Sequence, residues 1–385
     1  MLSFELTEDQ QAFRTELARY ARTRLRPAYA ERAAKTDFPW EAHKELAALG
    51  VLGIGLPEEF GGTGVSPDDP VTLGMATETL AYGDVNVAAA PVQSGLVAAQ
   101  LAEGGSRAVQ ERYIPELISG DAVSGIAVTE PGAGSDAAGI RTRATRTDGG
   151  WKINGQKVWT SGAHLAAFGL ATVRTNPDVP KHQGITTMVI DMHAPGVTVR
   201  PLKMPNGDSD FNEVFFDDVF VPEEDVVGPV DSGWTVARAT LGNESVSIGG
   251  GDGARIMPIG AFIAPLDAHP ERLAGGAGRV GRHIARTQAM GVLNQRSAYR
   301  AVAGGGPGPE GNVTKLVLSE LGHETAAILA ELAGPDAAFL EGDGAMGAML
   351  MLMNRALSIA GGTSEIKRNQ IAERILGLPR DPLIN

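Results

Sequence analysis

The sequence predicts an α+β protein, mostly helical, with a β section set between two helical ones. Three observations carry this. Apolar residues recur at helical spacing through the first 120 or so residues. From Ala122 the texture changes to a two-residue alternation broken by Gly, Asn, Asp and Pro. Beyond Gly233 the helical spacing returns. These changes set three expected domains: an all-α domain over residues 1–121, a small β barrel or sandwich over 122–230, and a helical bundle over 231–385.

Thr7-Glu8-Asp9-Gln10 opens the first helix, with Thr7 as the cap and Gln10 three residues later. Phe13, Leu17, Tyr20 or Ala21, and Leu25 follow at helical spacing, and Pro27 ends or bends the run. A second helix is expected from Glu41 to Leu49, stopped by Gly50, and Leu56-Pro57-Glu58-Glu59-Phe60-Gly61-Gly62 reads as a turn. Helical patterns resume over Val71 to Ala81, Ala88 to Glu103 and Ser106 to Ile118. In the β section Arg141 to Thr147 alternates, as do parts of Ile185 to Asp191, Val197 to Leu202 and Val214 to Val221, and the section ends near Gly228-Pro229. In the last section Gly249-Gly250-Gly251-Asp252-Gly253 is unusual and marks either a flexible loop or close helix packing. The run from Gly304 to Gly311 reads as a linker between two helices. Met346, Met349, Leu350, Met353 and Leu357 form an apolar stripe, either core or subunit interface.

Composition narrows the class. Hydrophobic residues make up 43% of the 385, so the chain is not disordered. A net charge of −13 argues against a nucleic-acid surface, which needs basic patches. The chain has no Cys, which excludes disulfides and thiolate metal sites and fits a reducing cytoplasm. Met1-Leu2-Ser3-Phe4-Glu5 shows no basic-then-apolar leader, and no stretch approaches the ~20 consecutive apolar residues of a membrane span. No metal and no membrane partner are expected.

Two stretches carry chemistry. In Ala127-Val128-Thr129-Glu130-Pro131-Gly132-Ala133-Gly134-Ser135-Asp136, apolar residues run in from Ile126 and small residues then crowd around Pro131. Glycines let a ligand approach backbone N–H groups closely, and Thr129 and Ser135 add hydroxyls, which suits a flat cofactor with phosphates. Taken alone, the stretch reads as a Gly/Pro turn between strands. About twenty residues on lies Trp151-Lys152-Ile153-Asn154-Gly155-Gln156-Lys157-Val158-Trp159-Thr160-Ser161-Gly162. Asn154-Gly155 between alternating residues predicts a hairpin turn, with Trp159, Thr160 and Ser161 on the second strand. An aromatic plane beside hydroxyl donors suits a flavin or a nucleobase, although a half-buried strand aromatic is the plainer reading of Trp159.

Together the two stretches resemble the acyl-CoA dehydrogenase family, over nearly the whole chain. The resemblance implies N-terminal helices, a middle β domain and a C-terminal four-helix bundle. It implies FAD as cofactor, an acyl-CoA thioester as substrate and an electron-transfer flavoprotein as acceptor. Trp159 would back the flavin ring, with Thr160 beside it and Ser161 near its N5. Thr129 and the backbone of Ala127 and Val128 would meet the pyrimidine edge, with Gly134 in the same loop, and Ser135 would lie between flavin and CoA. Gly362, Thr363 and Glu365 would touch the flavin dinucleotide. A helix N-terminus suits phosphate, which favours Gly362 and Thr363 over the anionic Glu365. His164 reads as a surface histidine or one behind the site. A further reading of Gly249 to Gly253 is the passage of a long acyl chain.

The family's reaction removes the α-proton of the thioester, which needs a carboxylate close to it and shielded from water. Burial can raise a carboxyl pKa by as much as ~3–5 units. The usual family position is a Glu-Gly-Thr segment near the C-terminus. Here the matching stretch is Ile359-Ala360-Gly361-Gly362-Thr363-Ser364-Glu365, with Gly361 where the glutamate would stand. Some members carry the base earlier, and the matching stretch is Leu241-Gly242-Asn243-Glu244-Ser245. Drawn as a helix, Ala237, Leu241, Glu244 and Ile248 share one face, so Glu244 is the candidate base and touches substrate with Ser135. The plainer reading is that Gly242 breaks the helix and leaves Glu244 solvated. Ser245 stands where members with this base often have Arg.

The Arg-x-x-Phe-Gly and Gln-x-x-Gly-Gly-x-Gly stretches of homotetrameric members, which help hold the adenine end of FAD, are missing. In their places stand His269-Pro270-Glu271-Arg272-Leu273-Ala274-Gly275-Gly276 and Leu332-Ala333-Gly334-Pro335-Asp336. These losses resemble actinobacterial dehydrogenases that work as heterotetramers of two related chains, several in steroid side-chain breakdown. The resemblance therefore implies a homo-oligomer or a heterotetramer, and a bulky, branched or steroid-derived acyl chain. Two other readings remain: a non-catalytic partner subunit, and a flavin monooxygenase or oxidase on the same fold.

Overall fold

The computed structural model describes residues 5–35, 37–66, 69–237, 257–303, 305 and 308–380. The chain divides into two compact units, one of Met1–Lys203 with Ser209–Thr240, the other of Met204–Asp208 with Leu241–Asn385.

The first unit begins with helices α1 (Glu8–Tyr20), α2 (Tyr29–Ala33), α3 (Trp40–Ala48), α4 (Pro70–Ala81), α5 (Val85–Gly104) and α6 (Arg107–Ile118). Local chemistry sets their starts. Thr7 and Gln10 form the expected reciprocal cap on α1. Asp69 caps α4 ahead of Pro70, Asp84 caps α5, and Ser106 accepts from Val109 N at the start of α6. Arg32 holds the buried Asp84 carboxylate at 2.8 Å. The run after α1 ends in a π-helical turn, Ala21–Leu25, just before Pro27. Gly50, with φ +76°, stops α3 as the sequence suggests.

Eight strands follow: β1 (Ser124–Ala127), β2 (Arg143–Thr147), β3 (Gly150–Ser161), β4 (Phe168–Arg174), β5 (Ile185–Asp191), β6 (Val197–Leu202), β7 (Phe211–Pro222) and β8 (Val226–Val227). They form one mixed sheet in the order β6-β7-β3-β2-β4-β5-β8, with β1 also paired to β4. Strand β4 is buried along its whole length. Phe168 and Leu170 pack with Leu101, Ile114 and Leu117 of α5 and α6, while Ala171 and Val173 join the sheet's own core with Ile153, Met188 and Val214. Burial on both faces removes the alternation that marks other strands, so β4 leaves no two-residue signal in the sequence.

Strands β1 and β2 run in succession along one edge of β4. Residues 124–127 pair with 168–171, whereas β2 meets β4 only at Arg143–Arg174. The loop 128–142 leaves and rejoins the sheet between them.

The hairpin differs from expectation. Its turn is Asp148-Gly149, with Gly149 at φ +76°, and Asn154-Gly155 lies inside the continuous strand β3. There the register against β7 shifts between Ile153 and Gly155. Gly155 has φ +150°, and a Cβ on it would meet Thr142 Cα at 2.6 Å, so the glycine serves a bulge and a close backbone approach instead of a turn.

The second unit carries α7 (Gly260–Ala268), α8 (Gly276–Val302), α9 (Glu310–Ala333), α10 (Ala345–Met353) and α11 (Ser364–Arg374). Phe262, Val280, Ile328, Leu332 and Leu350 form its main apolar cluster. Arg279 of α8 bonds Glu324 at 2.6 Å and both oxygens of Glu331 at 2.8 Å on α9. The apolar stripe divides: Leu350 and Leu357 are core, while Met346 lies on the surface. Gly249 to Gly253 lie outside the described residues. Among the described residues no helix is long and apolar enough to cross a membrane.

Candidate active site

In the first unit the site grows from the end of β1 and the second half of β3. Ala127 and Val128 are buried and Thr129 is half-buried. Val158 N donates to Thr129 O at 2.9 Å, which extends the pairing of β3 onto the loop. Glu130 and Ala133 exchange backbone bonds of 3.2 and 3.0 Å across Pro131-Gly132, closing a tight turn. Beyond it Gly134 and Ser135 are exposed.

Strand β3 has a second irregularity, between Lys157 and Thr160. Trp159 sits there at φ +61°, a left-handed conformation that a bulky L-residue adopts only under constraint. Its indole is 58% exposed, with Phe211 edge-on at 5.8 Å. Ser161 is exposed as well, whereas Thr160 is buried, its Oγ1 without a hydrogen-bond partner. The bulge thus turns Trp159 and Ser161 outward and Thr160 inward, so what Thr160 offers to the exposed side is backbone. Asn212, buried on β7, fixes the bulge by donating to Thr160 O at 3.0 Å, and its Oδ1 lies 3.1 Å from Nδ1 of the exposed His164.

Under the loop lies a buried ion pair that sequence reasoning missed. Lys157 is completely buried, and its Nζ donates to Glu130 Oε1 at 2.8 Å and to Val128 O at 3.0 Å. Glu130 also accepts from Arg141 N at 2.6 Å and Thr142 N at 2.9 Å. Burial pulls the Lys157 ammonium down to about 8, with Glu130 recovering only part of the loss. Burial pushes Glu130 up, but Lys157 and the hydrogen bonds from residues 141 and 142 outweigh it and hold the carboxyl below its ordinary range. The legible signal was charge at two otherwise buried positions, Glu130 and Lys157, in the two stretches already singled out.

In the second unit, Gly361 and Gly362 have φ +63° and +94° and turn the chain into α11. Thr363 caps that helix, accepting from Ile366 N at 3.2 Å. Buried Lys315 of α9 holds the turn, donating to Leu357 O at 2.9 Å and Gly362 O at 2.6 Å. Glu365 is exposed, 3.6 Å from Arg368. Gly361 offers no carboxylate at the usual family position. Glu244, Gly242 and Ser245 lie outside the described residues.

A flat, polar cofactor fits the first-unit residues. Gly132 and Gly134 have ordinary φ values, and nothing lies within 4 Å of a Cβ built on either. The fold itself does not require glycine there, so the vacant space is what a closely approaching ligand would use. Among the described residues no group of three or more His, Asp or Glu could hold a metal.

An exposed aromatic plane beside a glycine-rich loop, on a mixed sheet packed against α5 and α6, suits a flat cofactor, and comparison with known proteins gives the family. The acyl-CoA dehydrogenase N-terminal, middle and C-terminal domain models match residues 7–121, 125–219 and 231–376. The chain belongs to the acyl-CoA dehydrogenase family. It is 39% identical over 367 residues to acyl-CoA dehydrogenase FadE34 of Mycobacterium tuberculosis, covering 92% of this chain and 49% of that one. The chain therefore spans about half the length of that relative. It is 33% identical to acyl-CoA dehydrogenase IpdE1 of the same organism, over 88% of each. Its fold matches the Tcur3481-Tcur3483 steroid ACAD structure at a TM-score of 0.82 and 26% identity, over 98% of this chain and 100% of that one.

Proposed function

We propose that the chain catalyses FAD-dependent α,β-dehydrogenation of an acyl-CoA thioester. The observation that carries this is the strained, outward Trp159, held beside a glycine-lined loop that has open space over it. FAD supplies the acceptor for the β-hydrogen. Trp159 gives the isoalloxazine ring an apolar plane, and Ser161 offers it a hydroxyl. Thr129, with the backbone of Ala127, Val128 and Thr160, binds the pyrimidine edge. Gly134 lets the loop approach closely, and Ser135 orients flavin and thioester. In the second unit Gly362, Thr363 and Glu365 meet the dinucleotide.

Glu244 takes the α-proton, as its place on an apolar helical face in the sequence suggests. The acyl chain is bulky, branched or steroid-derived, in keeping with the similarity to the Tcur3481-Tcur3483 steroid ACAD. Electrons pass on to an electron-transfer flavoprotein, and the assembly is a homo-oligomer or a pair of related chains. In Glu244→Gln, reduction of the flavin by substrate should slow by ~10²–10⁴-fold, the usual worth of a positioned base, as read by stopped-flow absorbance. A wild-type rate would remove Glu244 from the mechanism.

Gly361 favours a second reading, in which this chain is the non-catalytic half of a two-chain enzyme. Co-purification with a related chain that carries its own base, and no loss of pair activity in Glu244→Gln, would establish it.

A further inference from the structure

We propose that Lys157 is a positioning residue for the cofactor, whose ammonium orients and polarises the Val128–Thr129 peptide from behind the loop. The inference rests on the flavin reading above. Lys157 Nζ lies 3.0 Å from Val128 O, and Val128 O belongs to the same peptide unit as the Thr129 N–H. A cation on the carbonyl oxygen draws electron density through the amide and makes the N–H a stronger donor, an effect that a low-dielectric interior enlarges. Lys157 is fully buried, so water does not screen it.

Glu130 balances this charge on the same side of the loop. Its Oε1 accepts from Lys157, while Arg141 N and Thr142 N fix the carboxylate in place. The loop's far side is tied to β3 through Val158 N and Thr129 O at 2.9 Å. Thr129 is thereby held from two directions, and the peptide ahead of it is the one that meets the ammonium. A donor strengthened in this way binds an electron-rich acceptor better than an electron-poor one. The reduced cofactor is the more electron-rich, so Lys157 should raise the midpoint potential as well as the affinity.

The test uses the purified holoenzyme, with its related chain where one co-purifies. Two variants are compared with wild type: Lys157→Met, and Lys157→Met/Glu130→Gln, which also removes the carboxylate charge that the first leaves buried. Replacing both members of a buried pair is far better tolerated than removing one. Each is read by thermal unfolding of the flavin-stripped protein, by titration with FAD and by potentiometry. The expected result is a folded double variant whose FAD Kd rises about tenfold. The reduced form should lose about tenfold more, which lowers the two-electron potential by ~30 mV. A folded double variant with wild-type affinity and potential overturns the proposal. So does weaker binding with an unchanged potential, because then the pair only braces the loop. If wild type holds no flavin, alone or with a partner chain, the flavin reading itself falls and takes this inference with it.

Discussion

Trp159→Gly separates what the fold needs from what the site needs. Trp159 holds φ +61°, and a non-glycine residue there costs about 1–2 kcal/mol. Glycine removes that strain but loses ~0.5–1 kcal/mol through a freer unfolded chain. The indole's edge-on contact with Phe211, centroids 5.8 Å apart, is worth about 0.5–1.5 kcal/mol. About two-fifths of its surface is buried, and at ~25 cal/mol per Å² that is worth a further ~2 kcal/mol. The losses outweigh the relief, and the variant should be about 2 kcal/mol less stable than wild type. Urea titration followed by far-UV circular dichroism measures this. FAD binding should weaken at least tenfold, about 1.4 kcal/mol, because the indole is the apolar plane offered to the ring. A loss of stability above about 4 kcal/mol would mean that the indole is structural. Unchanged FAD affinity would remove Trp159 from the cofactor site. Either result refutes the reasoning.

Two glycines should behave in opposite ways. Gly155→Ala forces a Cβ to 2.6 Å from Thr142 Cα at φ +150°, so urea titration should show a loss of about 2–5 kcal/mol. Gly134→Ala meets nothing within 4 Å and should unfold like wild type, yet titrate FAD more weakly. The reverse pattern would place the cofactor elsewhere. Stability should also depend on pH at both ends. Glu130 is held below its ordinary value of 4.5, so the unfolded chain takes up the proton first as pH falls, and the pair's contribution is lost as pH drops from about that value through the lower folded one. Lys157 is pulled from 10.5 to about 8, so the folded state sheds its proton first, and its contribution to stability should rise with pH between those values. Unfolding midpoints of wild type and the double Lys157→Met/Glu130→Gln variant across pH should differ in those two windows, and parallel curves would refute the assignment.

What was legible in the sequence was local or periodic. The reciprocal cap of Thr7 and Gln10 needs only four adjacent residues, and the strands at Ile185 and Val197 declare themselves by composition and alternation. What was not legible depends on partners far along the chain. Asp148-Gly149 and Asn154-Gly155 are both good turn signals, and only pairing with β7, more than sixty residues on, shows that the second lies within a strand. The left-handed conformation of Trp159 belongs to a second register shift against the same distant strand, between Lys157 and Thr160. Its aromatic chemistry could be read from the sequence, but its outward aim could not. Thr160 shows the converse: a hydroxyl in the right stretch faces the core because one bulge decides which side each residue takes.

The two units solve the same problem with the same device. Each stretch that resemblance ties to the dinucleotide is irregular, and irregular backbone leaves carbonyls that need donors. In the first unit Lys157, from a strand, donates to Val128 O; in the second Lys315, from a helix, donates to Leu357 O and Gly362 O. A lysine at both places fits loops that are fixed from behind and biased towards accepting negative charge. Lys315→Gln separates those needs: glutamine can still donate to a carbonyl, so the turn at Gly361 and Gly362 should survive, with thermal unfolding close to wild type. FAD affinity should nonetheless fall, with its dependence on ionic strength little changed, because salt barely screens a buried group. If affinity stays at the wild-type value, Lys315 is only a brace and the shared electrostatic role is wrong.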